Sequence, residues 1–161
     1  MTAIRLRPLR EDEFESWLER SRERYAADMV ANGGLAPDQA EAKALRDGLA
    51  LLPDGVATAG QHLFVIEDAE TDAGVGTLWF GVGPAPDGGE RAWLYEIEID
   101  PDQRGKGLGR AAMLELESRV RALGYERIEL NVFGGNMPAR GLYRSLGYAE
   151  SAVTMVKRLT D

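Results

Sequence analysis

The apolar residues of this chain recur with a period of two in some stretches and near 3.6 in others, and the changeovers divide it into strands and helices. Ile4 to Pro8 alternates apolar and basic residues, as a short strand does. From Glu11 to Tyr25, the positions of Phe14, Trp17, Leu18 and Tyr25 follow helical spacing, and Asn32-Gly33-Gly34 stops that helix or its extension. Pro37 opens a second helical stretch to about Leu52, with Ala40, Ala44, Leu45, Leu49 and Leu52 on one face, ended by Pro53-Asp54-Gly55. Neighbouring strands are predicted over His62 to Asp68 and Val75 to Val82, separated by a turn containing Asp72 and Gly74. After a loop from Pro84 to Gly89 comes a strand from Ala92 to Asp100. A helix over Leu108 to Leu123, a strand over Arg127 to Phe133 and a helix over Met137 to Leu146 follow, the helices ending at Gly124 and Gly147. Tyr148 to Leu159 is predicted to contain the last strand or strands.

Composition narrows the class. A length of 161 residues without a linker-like shift in composition predicts one domain over 1–161, large enough to bury a core. The chain has no cysteine, which excludes disulfides, a thiolate nucleophile and a cysteine metal site; no metal is implied. A net charge of −8 argues against a nucleic-acid surface and favours the approach of cationic molecules such as amines. The start, MTAIRLRPLR, lacks an apolar stretch of signal-peptide length, and no apolar run reaches membrane-spanning length. The expectation is a cytoplasmic protein without membrane or nucleic-acid partners, for which a homodimer remains open.

Candidate chemistry begins in LYEIEIDPDQRGKGLG, from Leu94 to Gly109, where an apolar strand and a Pro-marked turn lead through a glycine-rich loop into a helix. The first N–H groups of a helix starting near Leu108 lack partners and carry partial positive charge, which suits a pyrophosphate. Arg104 and Lys106 add charge, and Gly105, Gly107 and Gly109 let the backbone approach the ligand and adopt positive φ. A P-loop would need a hydroxyl residue after Lys106, where Gly107 stands; a dinucleotide fingerprint would need a third glycine where Arg110 stands. The pattern Arg104-x-x-Gly107-x-Gly109 instead resembles the acetyl-CoA pyrophosphate loop of the Gcn5-related N-acetyltransferase (GNAT) superfamily. In RIELNVFGGNMPARGLYRSLGY, the spacing of Asn136, Ala139, Leu142, Tyr143, Gly147 and Tyr148 resembles that superfamily's N-x-x-A-x-x-L-Y-x-x-x-G-F/Y element. The resemblance covers roughly residues 92 to 158.

The resemblance implies an α/β (α+β) GNAT fold: a mixed central sheet of six to seven strands flanked by helices, with two central strands splayed apart. It implies acetyl-CoA as co-substrate, with the backbone of Ile97 and Ile99 holding the pantetheine and acetyl carbonyl. Arg104, Gly105, Lys106, Gly107, Leu108 and Gly109 would hold the pyrophosphate, and Asn131 and Asn136 would complete the donor site; capping of the following helix is an equal reading for Asn136. The reaction implied is direct transfer, in a ternary complex, to a primary amine of a small molecule or peptide. The alternative is a non-catalytic CoA-binding regulatory or interaction module. Tyr143 stands where the superfamily often has a tyrosine near the CoA sulfur, the place for a general acid. Glu96 and Glu98 project to one side of their strand and are the candidate bases, acting directly or through water, because Asn131, where some members carry glutamate, is an amide. Glu96 is slightly favoured, since Glu98 lies closer to the loop. His62, the only histidine, reads as structural, and Trp17, Tyr25 and Met29 read as core or as the wall of an acceptor pocket.

Overall fold

The computed structural model describes residues 2–160. Its elements are β1 (Ile4–Pro8), α1 (Glu11–Gly33), α2 (Pro37–Leu51), β2 (Gln61–Asp68), β3 (Gly74–Pro84), β4 (Glu90–Ile99), α3 (Leu108–Ala122), β5 (Ile128–Leu130) and α4 (Met137–Ser145), with short 3₁₀ turns at Gly55–Ala57 and Pro101–Gln103. Helix α1 begins where the sequence offers acids: Glu11, Asp12 and Glu13 fill its first turn, and Glu13 accepts from the Arg10 N–H at 2.9 Å. It runs past Tyr25 and ends at Gly34, whose φ of 73° is open to glycine at little cost. Pro37 occupies the first turn of α2, where a missing N–H costs nothing.

The strands form one sheet in the order β1-β2-β3-β4-β5. The first three pairings are antiparallel and β4 pairs with β5 in parallel. Alternation sorts the side chains onto two faces. Leu6, Phe64, Ile66, Leu78, Phe80, Ala92 and Leu94 pack against Leu108, Ala112, Met113, Leu116 and Val120 of α3. Leu63 and Trp79 point the other way, to Trp17 of α1 and to Leu9 and Leu52. Trp17 and Met29 are buried core residues, so they do not wall a pocket; Tyr25 is exposed. Ala112, Met113 and Leu116 are fully buried, and a buried side chain the size of Leu or Met contributes about 1.5–3 kcal/mol. The sheet is therefore held between α1 with α2 on one side and α3 on the other.

Three expectations are corrected. Among the described residues the sheet has five strands, not six to seven, and the strand predicted over Arg127 to Phe133 is confined to Ile128–Leu130. Asn131 and Val132 lie beyond the pairing with β4, and both are exposed. No strand forms after α4 among the described residues: a β pattern becomes a strand only with a ladder partner, and here none pairs with it. Glu150 instead accepts from Arg140 (2.7 Å) and Arg144 (2.8 Å), which ties the start of the tail to α4. Beyond it Met155, Val156 and Leu159 are 86–90% exposed.

Candidate active site

Strand β4 is irregular on both edges at one level. Towards β3, Trp79 pairs with Glu96 and Phe80 with Leu94, so Tyr95 is an inserted residue, a β-bulge. Towards β5, the ladder covers only Ala92, Trp93 and Leu94; beyond Leu94 the backbone of β4 has no strand partner on that side among the described residues. The bulge also resets the faces. Leu94, Ile97 and Ile99 go to the α3 side, whereas Tyr95, Glu96 and Glu98 go to the α1 side, as their partners show. Tyr95 stacks on Trp79 at 4.4 Å and 20°, and Trp79 Nε1 donates to Gln61 Oε1 at 2.7 Å. Beside these rings lies a groove of about 420 Å³ lined by Gln61, Gly81, Gly83, Arg91, Trp93 and Tyr95.

The glycine-rich loop joins the end of β4 to α3. Gly105 and Gly107 both have φ of 79°; a Cβ on Gly105 would meet nothing within 4 Å, so its role is conformational. Gly107 is the N-cap of α3 and brings no side-chain cap, which leaves the first amides of α3, at Leu108 and Gly109, without an intrahelical acceptor. These residues fit an anionic ligand. Gly109 packs closely at the junction of α3 and α4: a Cβ there would stand in van der Waals contact with Leu142 of α4 at 3.5 Å and with Ile99 at 3.8 Å. Lys106 donates to Gln103 at 3.0 Å, and its carbonyl accepts from Thr2 at 2.7 Å. Arg104 turns back: its Nε donates to the Ile99 carbonyl at 3.0 Å and its Nη2 to Glu98.

The two glutamates meet helix α1. Glu96 accepts from Ser21 Oγ and from Arg24 Nη2, while Arg24 Nε lies 3.8 Å from Glu98. Ser21 and Arg24 are functional candidates that the sequence did not single out. Spaced three apart they share a helix face, but nothing local announces partners more than 70 residues away. Tyr143 lies on the opposite face, with α4, among residues packed on the α3 core. Burial pushes its phenol above the usual value, and its ring sits 5.9 Å from that of Tyr148, whose pKa burial pushes up to about 12. Asn136 caps α4, its Oδ1 accepting from the Ala139 N–H at 3.3 Å. Asn131 is exposed just past β5. His62 stacks on Phe80 at 4.7 Å, and burial lowers its pKa; it is part of the packing. Among the described residues, no group of three or more His, Cys, Asp or Glu is arranged to hold a metal ion, and no helix is long and apolar enough to cross a membrane.

A parted strand pair beside a glycine-capped helix is the geometry the sequence resemblance implies, and residues 6–148 match the sequence model of the acetyltransferase (GNAT) family. The chain belongs to the GNAT family. Among its GNAT relatives is YycN of Bacillus subtilis (strain 168), an uncharacterized N-acetyltransferase 33% identical over 156 residues, which are 97% of this chain and 99% of YycN. The crystal structure of YycN aligns with a TM-score of 0.90 at 32% identity, covering 99% of this chain and all of that one. The mycothiol acetyltransferase of Kytococcus sedentarius is 30% identical over 139 residues, 86% of this chain but 43% of that protein. A Pyrococcus furiosus structure at 22% identity and TM-score 0.73 shares the fold. The protein is accordingly an acyltransferase of GNAT type.

Proposed function

We propose that this GNAT protein transfers an acetyl group from acetyl-CoA directly to a primary amine within a ternary complex. The observation that carries the reading is the coincidence, at one end of β4, of backbone released from β5 and the uncapped start of α3 behind Gly105 and Gly107. The amides of Leu108 and Gly109 with the Lys106 ammonium would hold the pyrophosphate, and the β5-facing backbone around Ile97 and Ile99 the pantetheine arm. Asn131 and the Asn136 amide N–H₂ would complete the donor site. Arg104 is assigned to shaping the loop, since its guanidinium is engaged by Glu98 and Ile99.

Acetyl-CoA supplies an acyl group activated as a thioester. As the amine nitrogen bonds to the acyl carbon, one of the carboxylates Glu96 and Glu98 takes the proton that the amine gives up. Tyr143, a phenol protonated at neutral pH and pushed further up by burial, supplies a proton to the sulfur as the carbon–sulfur bond breaks. The groove of Trp93, Tyr95 and Gln61, on the same face as the carboxylates, accommodates the rest of the acceptor. Thermal unfolding with and without acetyl-CoA tests the donor site: the ligand should raise Tm by mass action, and Gly107→Val should abolish the rise in a folded protein. Wild-type affinity in that variant would overturn the donor assignment. Binding without transfer to any of a panel of polyamines, amino acids, aminoglycosides and peptide amino termini would overturn the catalytic one.

A further inference from the structure

We infer that Arg24 of α1 is a positioning residue for the carboxylate pair, and that Glu98, not Glu96, is the one left open to the acceptor; the inference rests on the acyl-transfer reading above. Four carboxylate oxygens are involved. Those of Glu96 are both engaged, Oε1 by Arg24 Nη2 and Oε2 by Ser21 Oγ. Ser21 is itself buried, 7% exposed, and makes its hydrogen bond on Glu96. Oε1 of Glu98 accepts from Arg104 Nη2. Oε2 of Glu98 faces Arg24 Nε at 3.8 Å, within ion-pair range but beyond hydrogen-bonding distance. Among the described residues it is the one oxygen of the four without a hydrogen-bond donor, and an ionised carboxylate oxygen in that condition has lone pairs with which to accept a proton. Exposure agrees: the side chain of Glu98 is 26% accessible and that of Glu96 16%.

Arg24 suits this task because a guanidinium presents several donors in a fixed plane. Its Nη2 holds Glu96 and its Nε faces Glu98, so the two carboxylates keep their spacing on the bulged strand. A lysine would carry the same charge at a single point. The contacts also run onward. Arg104 joins Glu98 to the Ile99 carbonyl and belongs to the glycine-rich loop, so the helix on the acceptor side and the loop on the donor side are connected through Ser21, Glu96, Arg24, Glu98 and Arg104 in turn. Arg24 touches neither the loop nor Tyr143 in this arrangement and acts only through the glutamates.

Non-additivity tests the assignment. Thiol release from acetyl-CoA is measured with spermidine, lysine and a peptide bearing a free amino terminus, in wild type and in Glu98→Gln, Glu96→Gln, Arg24→Gln, Arg24→Lys and the Arg24→Gln/Glu98→Gln double variant. Glu98→Gln should lower kcat by roughly 10²–10⁴-fold. Glu96→Gln should cost less. Arg24→Gln should lower kcat about tenfold with KM for acetyl-CoA changed less than about twofold, and the double variant should be no worse than Glu98→Gln alone, because residues acting as a unit do not multiply. Arg24→Lys should recover part of the loss. Multiplying losses, a wild-type kcat in Arg24→Gln, or a larger loss in Glu96→Gln than in Glu98→Gln would each overturn the inference. A second measurement needs no turnover: the ¹⁵N–¹H signal of Arg24 Nε in labelled protein should shift in Glu98→Gln, and an unmoved signal refutes the contact. Failure of wild type to bind acetyl-CoA or release thiol would instead sink the acyl-transfer reading, separately from the Arg24 contact.

Discussion

Replacing Gly76 with alanine places one methyl group where β3 and β4 have no room for it. Gly76 pairs with Ile99 on β4 and with Ile66 on β2, so it sits in the interior of the sheet. A Cβ built there stands 2.1 Å from the Glu98 carbonyl oxygen and 3.1 Å from Ile99 Cα. Reaching ordinary van der Waals separation requires β4 to retreat by about 1 Å or more, and the obstacle is backbone, which no rotamer change relieves. Overpacking of this kind costs typically 1–3 kcal/mol, and a backbone obstacle puts the cost near the top, about 3 kcal/mol. For a chain of this length, about 2–4 °C is lost per kcal/mol, so Tm should fall by roughly 6–12 °C in calorimetry. Gly134→Ala is the control, since a Cβ there meets nothing within 4 Å, and its Tm should stay near wild type. The displaced strand carries Glu98 and Ile99, so kcat should fall further than stability alone explains when assayed well below Tm. A Tm for Gly76→Ala within about 2 °C of wild type would refute the packing argument.

Gly141 lies within α4 with open space at its Cβ position, so Gly141→Ala should stabilise by about 0.8–1 kcal/mol, seen as a Tm about 2–4 °C higher; a fall would mean that α4 contacts something there. Tyr143→Phe keeps the ring and removes the hydroxyl, and should lower kcat by roughly 10²–10⁴-fold while acetyl-CoA raises Tm as in wild type; an unchanged kcat reduces Tyr143 to packing. Side-chain hydrogen bonds from Arg7 hold the Glu13 carboxyl at about 2, below its usual 4.5. A carboxylate lowered on folding stabilises above its unfolded value and ceases to do so as pH falls through the folded one, so Glu13→Gln should be less stable than wild type at pH 7, with the gap closing between about pH 4.5 and 2. A gap independent of pH in that range would count against the Arg7–Glu13 pair.

The sequence was most legible where backbone conformation is dictated by a single residue type. Gly34, Pro37, Gly107 and the Asn136 cap fix helix ends within a residue or two of the predicted ones, because each meets a local requirement of φ or of an orphan amide. Glu96 and Glu98 were rightly read onto one face. Leu94 does not share it, contrary to simple alternation, because the inserted Tyr95 shifts the parity of the strand. The pairing of Ser21 and Arg24 with those glutamates was out of reach, since the face they occupy becomes meaningful only when α1 is laid across β4. The C-terminal strand failed for the opposite reason. Val153, Met155 and Leu159 have β-like spacing, but spacing supplies no hydrogen-bond partner, and β5 ends at Leu130.

The short ladder to β5 leaves one stretch of main chain, from 95 to 99, without a strand partner along the β5-facing edge, level with the inserted Tyr95 on the other. Main-chain amides and carbonyls are present whatever side chain a codon specifies. Whatever is recognised along that edge is therefore insulated from most point substitutions and is lost only when the curvature of the strand is lost. The α1 side of the same five residues is the reverse, since each of its contacts is made by a replaceable side chain. One strand thus divides heritable variation into two kinds: an inserted residue or a glycine replaced by alanine alters the β5-facing edge, while substitutions at Tyr95, Glu96 and Glu98 re-tailor the α1 face and leave that edge as it was.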